Sequence, residues 1–492
     1  MGDMQNGSLQ RHFGLLHATA LNVTMIVGAG VFITIPLMLK ELPGPYALLG
    51  WLAAGGLMLV DGLIWSELGA SMPGSGGSYL YLLEGFGRER WGRLMAFLFI
   101  WQFLISGPLE LASGLIAISQ FADSLSPWFS EFNRTYSREW IIWGSHEVTL
   151  ELGSWKLPLG MSEGITVAIG PARLIGLGLG LLTIVLLYRR ITVLGRLTIL
   201  FWLGVLGVIG WILVEGFWHF DPSVAFRFTG AAAGPPDHFG RGLGAAMRLA
   251  MYSYLGYYNI CYIGDEVRDP GRTIPRSILL SAVLVCGLFV GLHLAMLGTV
   301  PWDSLPQNLD NYSLPAAFME RLHEGNWAVS LVTVLLIWSC FGAAFAGMLG
   351  YSRIPYGAAH YGHFFAGLGQ VHPRHRIPHV SLLLVGGLTL FWSVFSLQMV
   401  IDALIVTRIL IQFVGQIAAV VILRRREPGR PRPYTMWFYP LPCLLALVGW
   451  LYMYVTAAPL FIALGLVTLL AGGIVFLPWS WRTGGWPVGA SK

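Results

Sequence analysis

The chain has 492 residues, of which 55% are hydrophobic and 11% are charged, and its formal net charge is +5. Soluble domains carry about 25% charged residues, so the composition excludes a soluble protein and predicts a polytopic membrane protein. The small positive charge is typical of arginines that set membrane topology, and it gives no reason to expect a nucleic-acid partner.

Apolar segments of about 20 residues, the length that crosses about 30 Å of hydrocarbon, recur about twelve times. They lie near 15–39, 46–71, 93–121, 171–188, 197–217, 242–264, 277–300, 327–350, 379–397, 399–423, 440–457 and 459–478. Most of the 30 Lys and Arg residues fall on one side if the amino terminus is inside. This bias predicts that both termini are cytoplasmic in a plasma (inner) membrane. No linker divides the chain, so we expect one transmembrane domain over 1–492.

The first span is interrupted by two glycines, Gly28 and Gly30, with Pro36 just beyond them. Backbone groups leave their helical bonds inside a bilayer only where protein, water or ligand meets them. Free N–H groups near Gly30 and Val31 suit a carboxylate, and free C=O groups near Ile26 suit an ammonium. The alternative is that the glycines only let helices pack closely.

Acidic residues inside spans are costly and are functional hypotheses by default. Glu110, deep in the third span, is predicted to carry a proton or to bind a cationic substrate, or else to hydrogen-bond the freed backbone of the first break. Asp61 in the second span is a weaker candidate, and Glu67 is expected to pair with an arginine of the inner side. The four cysteines lie within or at the ends of spans, so no disulfide-linked partner is expected. They are Cys261, Cys286, Cys340 and Cys443.

The longest outer segment, about 126–170, contains alternating polar and apolar residues over 146–152, then Gly153-Ser154. This pattern predicts a β-hairpin that continues over 155–157.

A second interrupted span contains Tyr252-Ser253-Tyr254-Leu255-Gly256-Tyr257. Breaks at corresponding positions in two halves indicate a transporter's central site. If the halves are 1–217 and 218–423, each opens with its broken span, and five spans per half make the second half inverted. Residues 424–492 would then add two helices and a tail. Facing breaks would offer N–H and C=O groups to a zwitterion, as in an α-amino acid.

Charged residues at the inner end of the sixth span are candidates for an inner gate with the loop over 73–79. They are Asp265, Glu266 and Arg268. The alternative is a solvated cluster that serves only topology. Five histidines over 360–379 match no metal-ligand spacing, so we expect no metal and no cofactor. No catalytic cluster is evident, which predicts that the protein is not an enzyme.

The chain resembles the amino acid–polyamine–organocation superfamily and looks closest to its L-type amino acid transporter branch. The matching motifs lie at 28–32, 67–79, 252–257, 265–276, 352–353, 372–373 and 424–433. The resemblance implies an all-α polytopic protein of about 12 transmembrane helices. It also implies the five-plus-five inverted repeat of the leucine-transporter-like fold, with helices 1 and 6 broken.

The resemblance places the carboxylate-binding turn on Ala29 and Gly30, the amine-binding carbonyls on Ile26, Tyr252 and Leu255, and an aromatic gate on Tyr252. The whole expected substrate-binding set is Ile26, Gly28, Ala29, Gly30, Tyr252, Ser253, Leu255, Gly256 and Tyr258. Two residues depart from the family. Ala29 stands where a serine is frequent, and Leu255 stands where the large-substrate branch has glycine, which puts a large aromatic substrate in doubt.

These features predict a secondary active transporter of α-amino acids that works by alternating access, as an exchanger or a proton-coupled permease. Residues 340–350 contain no Ser, Thr, Asp or Glu, and Na⁺ requires oxygen ligands, so sodium coupling is not expected. The alternative function is a polyamine or amine permease in which Glu110 binds the amine. The expected partners are a small amino-acid substrate and the lipid bilayer.

Overall fold

The first apolar segment forms two helices that meet at an angle. The computed structural model describes residues 13–28, 30–74, 76–144, 146–152, 155–162, 164–188, 194–228, 234–236, 238–306, 312–375 and 377–483. Helix α1 spans Leu15–Ile26 and α2 spans Gly30–Glu41, and they are bent by 51°. Val27 is extended, with φ −77° and ψ 100°, so the helix ends where the glycines begin. The predicted break in the first span is confirmed.

The rest of the amino-terminal part consists mainly of helices. They are α3 (Ala47–Ser71), α4 (Ser78–Gly85), α5 (Trp91–Asp123), α6 (Pro127–Tyr136), α7 (Pro171–Leu187) and α8 (Leu194–Trp218). Helix α6 begins at a side-chain cap, because the hydroxyl of Ser126 accepts a hydrogen bond from Phe129 N, and Pro127 occupies the first turn.

The segment between α6 and α7 contains β-structure, so the chain is mostly helical but not strictly all-α. Strand β1 (Arg138–Trp143) pairs with β4 (Ile165–Ile169), and β2 (His146–Leu152) pairs with β3 (Trp155–Ser162), both antiparallel. Leu152 lies opposite Trp155, which confirms the predicted hairpin. The alternating pattern favours strands because successive side chains point to opposite faces.

The second part begins with the short helix α9 (Pro222–Ala225), followed by α10 (Phe239–Tyr254). After α10 the chain continues through 3₁₀ turns at Asn259–Tyr262 and Gly264–Glu266 before α11 (Pro270–Leu297). Leu255 is extended and Gly256 has a φ of +110°, a left-handed conformation that favours glycine. The predicted second break is therefore confirmed.

The remaining helices complete the bundle. They are α12 (Leu314–Leu322), α13 (Trp327–Tyr351), α14 (Arg353–His360), α15 (His379–Trp392), α16 (Leu397–Arg408), α17 (Gly415–Arg426), α18 (Leu441–Val455) and α19 (Pro459–Arg482). A π-helical turn at Ile409–Val414 joins α16 to α17.

Within the described residues, six helices are long and apolar enough to cross a membrane, and the bent α1–α2 pair adds a seventh. Four shorter apolar helices occur at Pro171–Leu187, Leu203–Trp218, His379–Trp392 and Leu441–Val455. Helix α3 packs against α10 and α11, and α5 packs against α13 and α16. Leucines on several of these helices remain exposed while large side chains such as Trp51 and Trp65 are fully buried, as expected for a multi-pass membrane protein in contact with lipid.

Candidate functional site

The two broken spans cross at their breaks. A Cβ placed on Gly30 would lie 3.4 Å from Cε1 of Tyr252 and 3.9 Å from the hydroxyl of Ser253. One helical turn further along α2, the hydroxyls of Thr34 and Ser253 lie 3.0 Å apart and share a hydrogen bond. The start of α2 is therefore held against the last turn of α10.

The contact is reciprocal on the other side of each break. A Cβ placed on Gly256 would lie 3.4 Å from the backbone C and O of Met25, in the last turn of α1. Asn22 accepts a hydrogen bond from the backbone N of Ile260 at 3.0 Å, and its Nδ2 lies 3.4 Å from the hydroxyl of Ser281. Asn22 therefore caps the chain that leaves the second break, and the ends of both interrupted helices meet in one place.

Gly28 does not serve close packing. Among the described residues, and apart from its neighbours in the chain, no atom lies within 4 Å of a Cβ built at this position, whereas small residues that bring helices together in membranes leave no such room. The packing explanation for the first break is thus unsupported at Gly28, and the space beside it is available to another group.

Tyr252 lies over the start of α2 and is fixed by α5. Its hydroxyl and that of Ser113 are 2.8 Å apart, and the Ser113 hydroxyl donates to the carbonyl of Glu110 at 2.5 Å. The carbonyl of Tyr252 accepts a hydrogen bond from Leu255 N at 3.3 Å, so one of its lone pairs is already used. This observation favours the Tyr252 ring over its carbonyl as the functional group.

The other expected substrate-binding residues lie in or beside the two breaks, and the ring of Tyr258 stacks on Trp65 of α3 at 4.2 Å. Ser253, Leu255 and Tyr258 are buried, and Ile26 ends α1. Ala29 lies outside the described residues. Sequence reasoning missed Asn22, Thr34 and Ser113, although each is a polar residue within an apolar span and could have been noticed on that ground.

Glu110 is paired with an arginine from α16. Nη2 of Arg408 lies 2.6 Å from Oε2 of Glu110, and Nε of Arg408 donates to the hydroxyl of Ser106 at 3.1 Å. The Arg408 side chain is only 2% exposed, against 24% for Glu110. The buried guanidinium of Arg408 therefore compensates the charge of Glu110, and any role of Glu110 involves Arg408 as well.

A second buried ion pair joins α10 to α16. Nε of Arg248 donates to Oδ1 of Asp402 at 2.5 Å, and Gln398 donates to Oδ2 at 2.9 Å. Arg248 also donates to the carbonyl of Met453 and the hydroxyl of Thr456, both at 3.3 Å. Charged side chains inside apolar spans almost always pair with one another. An acid and an arginine within apolar segments could therefore have indicated both this pair and the Glu110–Arg408 pair from the sequence.

The expected partner of Glu67 is confirmed as Arg424, which makes two hydrogen bonds to its carboxylate at 2.7 and 2.5 Å. Met436 N donates to the same carboxylate at 2.8 Å. Glu67 thus anchors the loop that follows α17 to the end of α3, and its geometry is that of a structural ion pair.

Asp61 differs from the three paired acids. It is buried on α3, and its carboxyl oxygens accept hydrogen bonds from the Tyr257 hydroxyl at 2.5 Å and from Trp450 Nε1 at 3.2 Å. Tyr257 belongs to the turn of the second break. Asp61 is therefore joined directly to that break through neutral donors.

The candidate inner gate is held by backbone contacts. Phe13 N donates to the carbonyl of Glu266 at 3.1 Å, and Arg268 N donates to the carbonyl of Phe13 at 2.9 Å. A Cβ placed on Gly264 would lie 3.2 Å from Cα of Pro73, so this segment packs on the loop as expected. The side chain of Asp265 lies outside the described residues.

A hydrogen bond between a hydroxyl and an imidazole lies at the end of the loop over 73–79. The hydroxyl of Tyr79, on α4, hydrogen-bonds Nδ1 of His363, which follows α14. Burial raises the pKa of the Tyr79 hydroxyl. Burial also lowers the pKa of His363, and the nearby guanidinium groups of Arg93 and Arg88 lower it further. Neutral His363 is therefore favoured.

Comparison with known proteins gives relatives that match most of the chain. The serine/threonine exchanger SteT of Bacillus subtilis (strain 168) is 26% identical over 448 residues, which are 90% of each chain. The cystine/glutamate transporter of Homo sapiens is 27% identical over 443 residues, which are 89% of this chain and 78% of that one. Cationic amino acid transporter 4 of Homo sapiens is 27% identical over 389 residues, 78% of this chain and 55% of that one.

The model of one protein family, described as amino acid permease, matches residues 13–485. This range includes both breaks, both buried ion pairs and the inner contacts described above. The chain therefore belongs to the amino acid permease family.

Proposed function

We propose that the protein is a secondary active transporter that moves α-amino acids across the plasma membrane by alternating access. The observation that carries this proposal is the reciprocal crossing of the breaks, in which Gly30 lies at Tyr252 and Gly256 lies at Met25. Two interrupted helices that meet in the membrane offer free N–H and C=O groups at one depth. An α-amino acid carries the matching carboxylate and ammonium.

The carboxylate is proposed to bind at the start of α2, where the N–H groups near Gly30 and the helix dipole favour an anion. The ammonium is proposed to bind the carbonyls near Ile26 and Leu255, at the ends of α1 and α10. Gly28 leaves open space beside this position. Tyr252, held by Ser113, would cover the bound substrate as a gate.

The architecture that we propose is twelve transmembrane helices with both termini cytoplasmic. Residues 1–217 and 218–423 would form two inverted halves, each opened by its broken helix, and 424–492 would add two helices and a tail. A helix lies in each of the twelve apolar segments, and the first and the sixth segments are the interrupted ones. Such repeats place the substrate at their interface.

Sodium independence is part of the proposal. Na⁺ sites are built from oxygen ligands, and residues 340–350 of α13 carry no hydroxyl or carboxyl group. The hydroxyl of Ser339, just before this stretch, donates to the carbonyl of Leu335 at 2.7 Å. Transport would then be driven by exchange or by protons.

A polyamine permease is the alternative that the sequence leaves open. It requires Glu110 to bind the amine, but the Glu110 carboxylate already lies 2.6 Å from Arg408. An amine would have to compete with a buried guanidinium for this carboxylate. The geometry therefore favours the amino-acid transporter.

Uptake into proteoliposomes tests the proposal. We would measure labelled L-serine, L-glutamate, L-arginine and putrescine with and without internal amino acid, a pH gradient and a Na⁺ gradient, against protein-free liposomes. We expect uptake of at least one amino acid without Na⁺, stimulated by internal amino acid or by a pH gradient. Uptake of putrescine alone, or a requirement for Na⁺, would contradict the proposal.

A further inference from the structure

Asp61, Glu67, Glu110 and Asp402 lie on apolar helices of the bundle, and they differ in how their charge is met. Arginines pair with three of them: Arg408 with Glu110, Arg248 with Asp402, and Arg424 with Glu67. In the described part of the chain, no Arg, Lys or His forms an ion pair with Asp61. Asp61 is only 2% exposed.

This difference decides which acid is free to exchange a proton. A carboxylate buried in the membrane is strongly unfavourable unless a cation compensates it. Glu110, the proton carrier expected from the sequence, has such a cation in Arg408. Asp61 has no such cation, so its charge is not fixed by a partner.

The two groups that bind Asp61 satisfy either protonation state. An indole N–H only donates, whereas a phenol hydroxyl both donates and accepts. Trp450 thus donates to Oδ1 in both states. Tyr257 donates to Oδ2 of the carboxylate, and its oxygen accepts from Oδ2–H of the carboxylic acid once the hydroxyl rotates. The proton therefore has a defined place, between Oδ2 and the Tyr257 oxygen.

Tyr257 links this position to the substrate site. It directly follows Gly256, whose φ of +110° turns the chain at the second break and whose Cα faces Met25 of α1. Movement of either broken helix therefore moves the Tyr257 hydroxyl relative to Asp61. The proton position and the amino-acid site share one turn of the backbone.

Trp450 links the same carboxyl to the helix that carries Arg408. Its indole stacks on the ring of Phe413 at 3.7 Å and 10°. Phe413 lies in the π-helical turn Ile409–Val414, which directly follows Arg408. π-Helical turns occur frequently at functional sites. One donor of Asp61, Tyr257, therefore lies in the turn of the second break, and the other, Trp450, packs on the turn that follows Arg408.

The other groups around Asp61 carry no competing charge. Tyr258 in the same turn and Cys443 on α18 lie close enough to interact with its charge, and Trp65 on α3 adds a neutral indole. Helix α11 faces this part of α3 with the methyl of Ile278, next to Gly62. Glu67, further along α3, is paired with Arg424.

We propose that Asp61 is the proton-binding site that couples amino-acid transport to a proton gradient, a role that rests on the transport function proposed above. On the outer side one proton binds to Oδ2 of the carboxylate, and it enters with one amino acid. On the inner side it leaves to water, and Asp61 returns as a carboxylate. The step forms and breaks only this O–H bond.

The test uses the full-length protein in proteoliposomes and the amino acid from the panel that it transports best. We compare the native protein with Asp61→Asn, which keeps the size of the side chain and cannot carry the proton. Asp303→Asn is the matched control, because Asp303 pairs with Arg227 at an exposed outer position. Gradient-driven accumulation and exchange for internal amino acid are measured separately.

The native protein and D303N are expected to accumulate the amino acid at least fivefold when the outside is more acidic. D61N is expected to lose this accumulation while it still exchanges internal for external amino acid. Accumulation by D61N at the native level would overturn the inference. Exchange without any gradient-driven accumulation by the native protein would also overturn it, yet leave the transport function standing. If the native protein moves no amino acid under any condition, the transport function itself fails.

Tyr257→Phe tests the role of Asp61 as the proton-binding site if D61N does not reach the membrane. This variant keeps the ring and removes the hydroxyl that meets Oδ2. We expect the pH at half-maximal gradient-driven uptake to shift by at least 0.5 units, about a threefold change in proton affinity. An unchanged pH profile in Y257F would overturn the inference.

Discussion

The Tyr252 ring lies against Gly30, with Cε1 3.4 Å from the place that a Cβ of residue 30 would occupy. A substituent at Gly30 therefore meets the proposed gate before it meets anything else. The same distance is an ordinary van der Waals contact, so a single methyl group fits. A small substituent at Gly30 is therefore expected to be tolerated, whereas a large one must displace the Tyr252 ring.

Gly30→Ala should bind and transport the amino acid with at most a few-fold loss, whereas Gly30→Leu should abolish binding because its side chain must displace Tyr252. Gly28→Ala is the matched variant at a glycine with open space around it. Binding is measured by the shift in thermal unfolding that saturating amino acid produces, since a ligand of the folded state stabilises it. Equal shifts in G30L and the native protein would contradict this account of the break.

The hydrogen bond between Tyr252 and Ser113 should hold the gate in place. Tyr252→Phe and Ser113→Ala each remove it, at a cost of about 0.5–1.5 kcal/mol, or up to about tenfold in the Michaelis constant. Because both remove the same contact, the double variant should be little worse than either single one. Additive losses in uptake kinetics would show that the two side chains act separately.

The Glu110–Arg408 pair should contribute to stability as a unit. Arg408→Met leaves the Glu110 carboxylate without its cation, and removing one partner of a buried pair costs about 3–5 kcal/mol. The double variant with Glu110→Gln removes both charges and should recover much of that loss. The thermal midpoints of the purified proteins in detergent measure this. A double variant as unstable as the sum of the single ones would rule out the pairing.

The Tyr79–His363 contact should weaken in acid. Burial, and then Arg93 and Arg88, lower the pKa of His363, so the unfolded chain takes up a proton more readily than the packed one. Stability from this residue is therefore complete above the ordinary histidine pKa of about 6.5 and is lost as the pH falls below it. The thermal midpoint of the native protein should fall more between pH 7.5 and 5.5 than that of His363→Gln, which accepts a hydrogen bond without titrating. Parallel decreases would contradict the assignment.

The two helix breaks and the β-hairpin were predictable because each is encoded by a short stretch of neighbouring residues. Glycines inside apolar spans predicted both breaks, because glycine weakens a helix. Inside a bilayer, the backbone groups then leave their helical hydrogen bonds only where protein, water or ligand meets them. The alternation over 146–152 before Gly153-Ser154 marked the hairpin. The strands β1 and β4 were missed because their pairing joins residues far apart in the chain, Arg138 with Ile169, and no local pattern records that contact.

The partners of the buried charges required the structure. Arg408 and Glu110 were both visible inside apolar segments, but the sequence did not give their distance. Glu110 is a proton-carrier candidate in the sequence because a carboxyl deep in a span is costly, and its pairing with Arg408 is visible only in the structure. Asp61 is the weaker candidate in the sequence, and its hydrogen-bond donors, Tyr257 and Trp450, come from segments far along the chain. Spatial neighbours decide the chemistry of a buried acid, and sequence alone orders such residues poorly.

The most direct measurement is counterflow in proteoliposomes that are loaded with unlabelled amino acid and diluted into the labelled one, with the native protein and G30L side by side. If the crossing of the two breaks forms the amino-acid site, the native protein concentrates the label inside loaded vesicles and G30L does not, although both are inserted to the same extent. Counterflow by G30L at the native rate would show that the amino acid binds elsewhere.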